Sequence, residues 1–192
     1  MGRPKILVFS GSIRSGSVNT KLVDAFVGEL ALTECEVTRI SLSDYELPLY
    51  DGDLEASKGI PKHAVKLAEL FQTQNGILFV GPEYNGSISP LMKNTIDWIS
   101  RVKEIKGNAA SPFANKVALI ASASPGGMGG ISSLSHMRDI LVRLKMLVLS
   151  EQLGVSNAFS AFDDQDKLSN ERQAKMLSIA VKSLVEKSTL LV

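Results

Sequence analysis

Three segments rich in glycine and serine carry most of the side chains suited to binding a small ligand. The first, residues 10–20, surrounds Arg14 with hydroxyl and amide side chains. Placed between a strand and a helix, it would present backbone N–H groups and the positive end of the helix dipole to an anion. Residues 1–23 also contain basic side chains and no acidic one. We therefore expect a phosphate monoester here; a serine-rich helix cap without a ligand is the alternative.

The spacing within this segment narrows the class of phosphate. Gly11 and Gly16 are spaced as in a P-loop, but Ser17 and Val18 stand where that motif has Lys and Ser or Thr. Without the lysine, nothing is supplied for the β- and γ-phosphates of a nucleoside triphosphate. The dinucleotide fingerprint G-x-G-x-x-G is also missing after the first strand. A terminal monophosphate such as that of FMN fits better.

Two further segments offer a flat ring-binding surface. In residues 81–87, Tyr84 would form an aromatic wall, while Pro82 and Gly86 would hold the loop rigid. Residues 122–130 contain four glycines, which would let a ligand or another chain approach the backbone closely. No acidic residue lies between Ile105 and Arg138, so we expect this rim to be electropositive. An ordinary turn and a flexible glycine loop are the respective alternatives.

Apolar strands alternate with amphipathic helices along the whole chain. Predicted strands cover residues 5–10, 36–42, 76–81, 117–122 and 147–149, with a possible extension of the last to Val155. Amphipathic helices are predicted to begin after residue 20, at Pro61, after the Ser89-Pro90 cap, and after a cap at Ser169 or Asn170. A further helix would place Met137, Ile140, Leu141 and Leu144 inward. Residues 43–60, with their acidic cluster, are predicted to form a solvated surface loop.

This alternation predicts the fold class. Unbroken apolar strands indicate a parallel sheet that is covered on both faces. Five βα units in 192 residues fit a three-layer, doubly wound, flavodoxin-like α/β fold with strand order 2-1-3-4-5, forming a single domain over residues 1–192. A closed eight-fold barrel would need about 250 residues. Such sheets bind ligands at the carboxyl ends of strands 1 and 3, where the three segments should meet.

Composition excludes several classes of protein. The 21 basic and 20 acidic residues leave a net charge of +1, which argues against a nucleic-acid partner. The chain has a single cysteine, Cys35, and therefore cannot form an internal disulfide. The only histidines are His63 and His136, which are far apart in the sequence, so we expect no metal site. The N-terminal apolar run is too short for a signal peptide, and no run is long enough to span a membrane. We therefore expect a cytoplasmic protein without membrane association.

Three motifs together resemble those of the NADPH-dependent FMN reductase family, which includes chromate and quinone reductases. They are Gly11-Ser-Ile-Arg-Ser-Gly-Ser-Val-Asn-Thr20, Pro82-Glu-Tyr-Asn-Gly-Ser87 with Pro90-Leu-Met-Lys-Asn-Thr-Ile-Asp-Trp98, and Ser122-Ala-Ser-Pro-Gly-Gly-Met-Gly-Gly130. The resemblance extends over roughly residues 4–185. It implies a flavodoxin-like fold, non-covalently bound FMN, and a homodimer or homotetramer.

The resemblance also implies which residues bind the cofactor. Around the FMN phosphate it places Ser12, Arg14, Ser17, Val18, Asn19 and Thr20. Along the isoalloxazine and ribityl portion it places Pro82, Glu83, Tyr84 and Asn85, with Ser124, Gly126 and Gly127 flanking the ring. Gly86, also counted in the site, stands where some members carry a second aromatic residue, which would leave the ring face more open.

The activity implied is an NAD(P)H oxidoreductase of the FMN reductase or quinone (chromate) reductase type. The flavin would carry the chemistry, so no catalytic side chain is expected. NADPH, or NADH, would supply hydride, and the electrons would pass to a small-molecule acceptor: a quinone, free flavin, an azo compound or a metal oxyanion. The alternative is a flavodoxin-type electron carrier or flavin-binding sensor without NADPH turnover. A serine hydrolase is disfavoured because the chain has no G-x-S-x-G motif.

Overall fold

The computed structural model describes residues 2–192 and contains a five-stranded parallel sheet between two layers of helices. The strands are β1 Lys5–Ser10, β2 Glu36–Arg39, β3 Gly76–Val80, β4 Glu83–Tyr84, β5 Ser87–Ile88, β6 Glu104–Ile105, β7 Asn108–Ala109, β8 Val117–Ala123 and β9 Leu147–Val155. The large sheet has the order β2-β1-β3-β8-β9, and β4-β5 and β6-β7 form two small antiparallel pairs. The predicted strand order, in which β8 and β9 are the fourth and fifth strands, is confirmed.

Six helices cover the sheet and its edges. They are α1 Val18–Leu30, α2 Gly52–Lys58, α3 Lys62–Gln72, α4 Pro90–Arg101, α5 Ile131–Arg143 and α6 Glu171–Thr189. One core cluster joins the sheet to α1 and α6, and the other joins it to α3, α4 and α5. In β1, Ile6 and Val8 belong to the first cluster and Leu7 and Phe9 to the second. The four central residues of the strand are apolar because both of its faces are buried.

Helix starts follow the predicted caps closely. The Ser89 hydroxyl accepts a hydrogen bond from the Met92 N–H, with Pro90 at the first helical position. Of the two candidates for the last helix, Asn170 is the cap, because its side chain accepts from the Gln173 N–H. Pro61 is itself the N-cap of α3 and not its first residue. These local signals depend on neighbouring residues alone, so the sequence predicts them well.

Two predicted element boundaries were wrong, and the possible extension of the fifth strand to Val155 is confirmed. Residues 43–60 are not simply a loop, because a short 3₁₀ turn occupies Leu42–Asp44 and α2 follows, capped by the Asp51 carboxylate. The second strand ends at Arg39, since β2 lies at the edge of the sheet and pairs only with β1. The fifth strand is continuous over residues 147–155, and an irregularity in its register against β8 accounts for the break in its apolar pattern.

Several large apolar side chains of α4 and of the stretch 137–149 belong to the core. The Trp98 side chain is fully buried, and its indole N–H donates to the carbonyl of Pro48 at 2.7 Å. Within the apolar stretch 137–149, Met137, Leu141 and Met146 are buried under the sheet. Among residues 2–192, no helix has the length and hydropathy needed to cross a membrane. In the same part of the chain, no cluster of His, Cys, Asp or Glu is placed to hold a metal ion.

The segment around α2 is attached to α4 by polar contacts. The Tyr50 N–H donates to the side-chain oxygen of Asn94, and the Tyr50 hydroxyl donates to Glu55. The Arg101 Nε donates to both carboxylate oxygens of Glu55, at 3.0 and 2.9 Å. The hydrogen bond from Arg101 is the main reason why the pKa of the Glu55 carboxyl lies below its ordinary value. One member of the predicted solvated acidic cluster therefore has a structural partner.

This ion pair predicts a pH-dependent stability. Because the pKa of Glu55 is lower in the folded than in the unfolded protein, the pair stabilises above the ordinary glutamate pKa of about 4.3. The contribution is lost as the pH falls through the lowered value. We expect Glu55→Gln to lower the melting temperature at pH 7 and to have a progressively smaller effect as the pH falls below about 4.3. Thermal unfolding from pH 3 to 8 tests this, with Glu29→Gln, which removes no ion pair described within residues 2–192, as the control. A pH-independent difference would contradict the assignment.

Candidate cofactor site

Three loops meet at the carboxyl edge of the sheet, as predicted. Loop 1 (residues 11–17) follows β1, loop 2 (residues 81–89) follows β3 and loop 3 (residues 124–130) follows β8. Together they enclose a cavity of about 170 Å³, lined by Ser12, Arg14, Ser17, Val18, Asn19, Pro82, Glu83, Tyr84, Ala123, Ser124, Pro125 and Phe159. A second hollow of about 300 Å³ shares Ser12, Arg14 and Ser17 with it and extends to Thr20. The two hollows form an elongated depression at the switch point between β1 and β3.

Loop 1 turns the chain tightly into the start of α1. Ser17 caps the helix, because its hydroxyl accepts from the Asn19 N–H at 3.2 Å. The Ser17 N–H donates to the Arg14 carbonyl, and Gly16 takes a positive φ of 64° in the turn between them. The first-turn amides of α1 and the hydroxyls of Ser12 and Thr20 thus border the depression. This donor set suits a phosphate at a helix N-terminus.

Asn19 connects the start of α1, directly after loop 1, to the end of β8, directly before loop 3. Its side-chain NH₂ donates to the Ala123 carbonyl at 2.9 Å, and its side-chain oxygen accepts from the Ala123 N–H at 2.8 Å. Only 2% of Asn19 is exposed, so both bonds are shielded from water. The side chain therefore matches both backbone groups of Ala123 and fixes α1 against the end of β8. Sequence reasoning placed Asn19 in the site but did not predict this partner.

Loop 2 is a miniature β-hairpin that leans on α5. Asn85 and Gly86, with φ values of 51° and 76°, form its two-residue tip between β4 and β5. Two positive φ values are what a type I′ turn requires, and Asn-Gly is the pair that favours it. Glu83 accepts a hydrogen bond from the Ser133 N–H at 3.0 Å, in the first turn of α5. The Glu83 carboxylate is therefore oriented by the protein itself.

Loop 3 makes its close backbone contact with the protein's own last strand. A Cβ atom on Gly154 would lie 2.9 Å from the Gly129 carbonyl oxygen, and one on Gly129 would lie 2.8 Å from the Gly154 carbonyl carbon. Gly129 also has a positive φ of 62°. The glycines of loop 3 do allow a close backbone approach, but at Gly129 the neighbour is Gly154 of β9 and not a ligand or another chain. Gly126 and Gly127, by contrast, are exposed.

The positive potential is more local than the sequence indicated. Arg3 and Lys5 lie at the opposite edge, since six residues of β1 span about 20 Å. Lys21 pairs with Asp166 at 2.6 Å. Within residues 2–192, no carboxylate is paired with Arg14, which lines the cavity. Arg14 is thus the cation best placed for an anionic ligand.

The predicted electropositive rim at loop 3 was wrong. Lys116 is buried, and its ammonium donates to the carbonyls of Gln72 and Gln74; burial lowers its pKa. Arg138 donates to the carbonyl of Leu149 at 2.7 Å. An acid-free stretch of sequence does not make a positive surface when its cations bind carbonyl groups elsewhere.

Most of the predicted site residues lie together. Nine line the cavity directly: Ser12, Arg14, Ser17, Val18, Asn19, Pro82, Glu83, Tyr84 and Ser124. Thr20 lines the adjoining hollow, whereas Asn85, Gly86, Gly126 and Gly127 line neither of the two. Sequence reasoning missed Ala123, Pro125 and Phe159. The first two border a segment already selected, but no local pattern connected Phe159 to the site.

The glycine contact predicts a steric effect of Gly154→Ala. The new Cβ would meet the Gly129 carbonyl, so loop 3 or β9 must shift; overpacking of this kind costs about 1–3 kcal/mol. Urea-induced unfolding should show a lower midpoint. Gly28→Ala on α1 is the control, because a Cβ there meets nothing within 4 Å and alanine favours a helix. Equal effects of the two substitutions would contradict the close contact.

Comparison with known proteins identifies the family. The model of the NADPH-dependent FMN reductase family matches residues 4–160. The chain belongs to this family. It is 33% identical over 182 residues to an NAD(P)H-dependent FMN reductase of Pseudomonas aeruginosa, covering 94% of this chain and 92% of the relative. It is 35% identical over 148 residues to a quinone reductase of Escherichia coli, covering 77% and 74%.

A solved structure supports the same membership. FerB, a flavoenzyme NAD(P)H:(acceptor) oxidoreductase from Paracoccus denitrificans, is 26% identical to this FMN reductase family member, with a TM-score of 0.78 over 97% of this chain and 98% of the other. Membership assigns FMN as the cofactor and NAD(P)H as the reductant. The depression fits that cofactor. Hydroxyl side chains and Arg14, which suit a phosphate, line it together with Tyr84, which suits a flat ring.

Proposed function

We propose that the protein is an FMN-dependent NAD(P)H oxidoreductase that passes electrons to a small-molecule acceptor. The observation that carries the proposal is the convergence of loops 1, 2 and 3 on one depression, with Asn19 hydrogen-bonding the end of β8 across it. When bound, FMN supplies the chemistry of two-electron transfer between nicotinamide and acceptor. The side chains bind and orient, and none is assigned a covalent or acid–base step.

In this proposal loop 1 holds the phosphate of FMN. The positive end of the α1 dipole and the Val18 N–H, together with the hydroxyls of Ser12 and Thr20 and the guanidinium of Arg14, would hold the phosphate. The Ser17 side chain acts as the helix cap, since its hydroxyl already accepts from the Asn19 N–H. The phosphate is thereby fixed relative to β1, and the rest of the cofactor extends toward loops 2 and 3.

Loop 2 and loop 3 would hold the ring system. Tyr84 offers an aromatic side chain from the hairpin, and the Pro82 and Ser124 side chains border the same cavity. Two contacts to α5 hold the hairpin: Glu83 to the Ser133 N–H, and Ser87 Oγ to His136 Nδ1 at 3.0 Å. A hairpin held at two points keeps its aromatic residue in place for repeated turnover.

The names of the relatives support a small-molecule acceptor. The Escherichia coli relative is a quinone reductase, and the Paracoccus denitrificans flavoenzyme acts on an acceptor that its name leaves general. We propose a quinone as the preferred acceptor, with free flavin, azo compounds and metal oxyanions as further candidates. A homodimer or homotetramer is part of the same proposal, since family resemblance supports it.

Reconstitution with FMN tests the proposal directly. Purified protein is loaded with FMN, desalted and mixed with NADPH and menadione, and NADPH oxidation is followed at 340 nm, the absorption band of the reduced nicotinamide itself. We expect oxidation well above that of an equal concentration of free FMN. Protein that binds FMN but does not exceed this background would instead be an electron carrier or sensor. Protein that binds no FMN would overturn the assignment of the site.

A further inference from the structure

We propose that Phe159 is the aromatic wall for the electron acceptor: the planar ring of a quinone lies against it at the mouth of the cofactor cavity. The inference rests on the proposed function and adds a residue that determines acceptor specificity. Phe159 lines the cavity together with Tyr84 but comes from a different part of the chain, the turn after β9. It lies 75 residues beyond Tyr84 in the sequence.

The turn that carries Phe159 reverses the usual placement of apolar side chains. In this 3₁₀ turn, Ala158–Ser160, Ala158 is buried, as is Ala161 immediately after it. The much larger Phe159 between them is 74% exposed. The turn is anchored by two small residues, while the phenyl ring remains in water. The protein therefore does not gain the stabilisation that burial of this large apolar side chain would give. Such an arrangement is explained if the ring is kept available for a ligand.

Backbone hydrogen bonds fix this turn to loop 3. The Ala158 N–H donates to the Ser124 carbonyl at 3.1 Å, and the Asn157 N–H donates to the Gly126 carbonyl at 3.3 Å. Asn157 adopts a left-handed conformation with φ 50°, which asparagine tolerates better than most residues. The position of Phe159 is therefore coupled to the loop that borders the cavity, although the ring itself faces solvent.

Phe159 belongs to an apolar rim around a polar interior. We define the apolar rim as Tyr84 and Phe159, the two large, exposed aromatic side chains that line the cavity. A single exposed apolar residue needs no explanation, but two aromatic side chains on one cavity favour a binding site. The interior already offers what a phosphate needs. The rim offers what a flat, largely apolar ring arriving from solvent needs, and aromatic rings prefer offset or edge contacts with such a ring.

Acceptor selectivity of Phe159 variants tests the proposal. In FMN-loaded protein, Phe159→Leu and Phe159→Ala should lower kcat/KM for menadione relative to that for ferricyanide, which has no ring to stack, by about 2- to 12-fold. Phe159→Tyr, which keeps the ring, should restore the wild-type ratio. Leu32→Ala is the matched control, since this large apolar side chain is 80% exposed but does not line the cavity.

A binding measurement separates this inference from the proposed function. Anthraquinone-2-sulfonate is titrated into the oxidised, FMN-loaded protein without NADPH, and calorimetry gives its dissociation constant. We expect weaker binding to Phe159→Leu, by a similar factor, even if wild-type protein shows no NADPH turnover. An unchanged quinone affinity would overturn the inference. An equal loss of FMN affinity would also overturn it, because Phe159 would then be a cofactor contact. A lower assembly mass by light scattering would overturn it as well, because Phe159 would then be a subunit contact.

Discussion

Asn19→Ala is expected to be strongly destabilising although it removes only one small side chain. Ala123 would lose the partners of both its N–H and its carbonyl in a buried position, and each unsatisfied group costs about 1–3 kcal/mol. Two such groups cost about 2–6 kcal/mol, so at about 2–4 °C per kcal/mol for a chain of this size the melting temperature should fall by roughly 4–24 °C. FMN affinity should fall as well, because the start of α1, next to loop 1, is no longer bonded to the end of β8, next to loop 3.

Two further variants sharpen this test. Asn19→Asp keeps an acceptor for the Ala123 N–H but places a carboxylate oxygen against the Ala123 carbonyl, so it should also destabilise while leaving the side-chain volume nearly unchanged. Asn108→Ala is the control, because Asn108 is exposed and bonds only to the nearby Lys106 carbonyl. Thermal unfolding by circular dichroism, with and without FMN, gives the stabilities. If the melting temperature of Asn19→Ala lies within 2 °C of that of Asn108→Ala, the two hydrogen bonds contribute less than about 1 kcal/mol, because 1 kcal/mol corresponds to about 2–4 °C. That result would contradict the proposed connection.

Arg14→Ala should selectively weaken the binding of phosphorylated flavin. A hydrogen bond to a charged group contributes about 1.5–3 kcal/mol, which corresponds to about a 10- to 150-fold increase in the dissociation constant of FMN. Riboflavin, which has the same ring and no phosphate, should bind the variant and the wild type equally. Quenching of flavin fluorescence on titration measures both constants.

The geometry of the guanidinium sets the expected ranking of variants. Arg14→Lys keeps the charge but loses the planar pair of donors, so its FMN affinity should fall between those of the wild type and Arg14→Ala. Arg3→Ala removes a cation that pairs with Glu34 at the far edge of the sheet, and FMN binding should not respond to it. If riboflavin affinity fell in parallel with FMN affinity, Arg14 would not be contacting the phosphate.

The features that the sequence predicted correctly are those encoded by neighbouring residues. Both faces of β1 and β3 are covered, so the four central residues of β1 and all of β3 had to be apolar, and these runs are visible without a structure. Ser89 and Asn170, both predicted as caps, accept hydrogen bonds from residues three positions away. The Ser17 cap of α1 is equally local, but it was not predicted individually. The Asn85-Gly86 hairpin was also encoded locally, in a dipeptide typical of type I′ turns, but loop 2 was interpreted without it.

The contacts that sequence reasoning did not predict join distant parts of the chain. Asn19 and Ala123 are 104 residues apart, and the meeting of Gly129 with Gly154 depends on how loop 3 lies against β9. A lone glycine in a strand indicates some close approach, but it does not identify the partner. Phe159 follows an ordinary strand, and only the return of the chain after β9 brings it to the cavity.

Strand order and the meeting of the three loops could be inferred from residue types and spacing, because alternation of strands and helices constrains a parallel sheet to few topologies. The charge around the site could not be inferred in this way. The first 23 residues suggested a cationic surface, yet β1 carries Arg3 and Lys5 to the opposite edge and Asp166 pairs with Lys21, so Arg14 remains. Electrostatic potential depends on distances in space and on partners far along the chain, which only the folded arrangement defines.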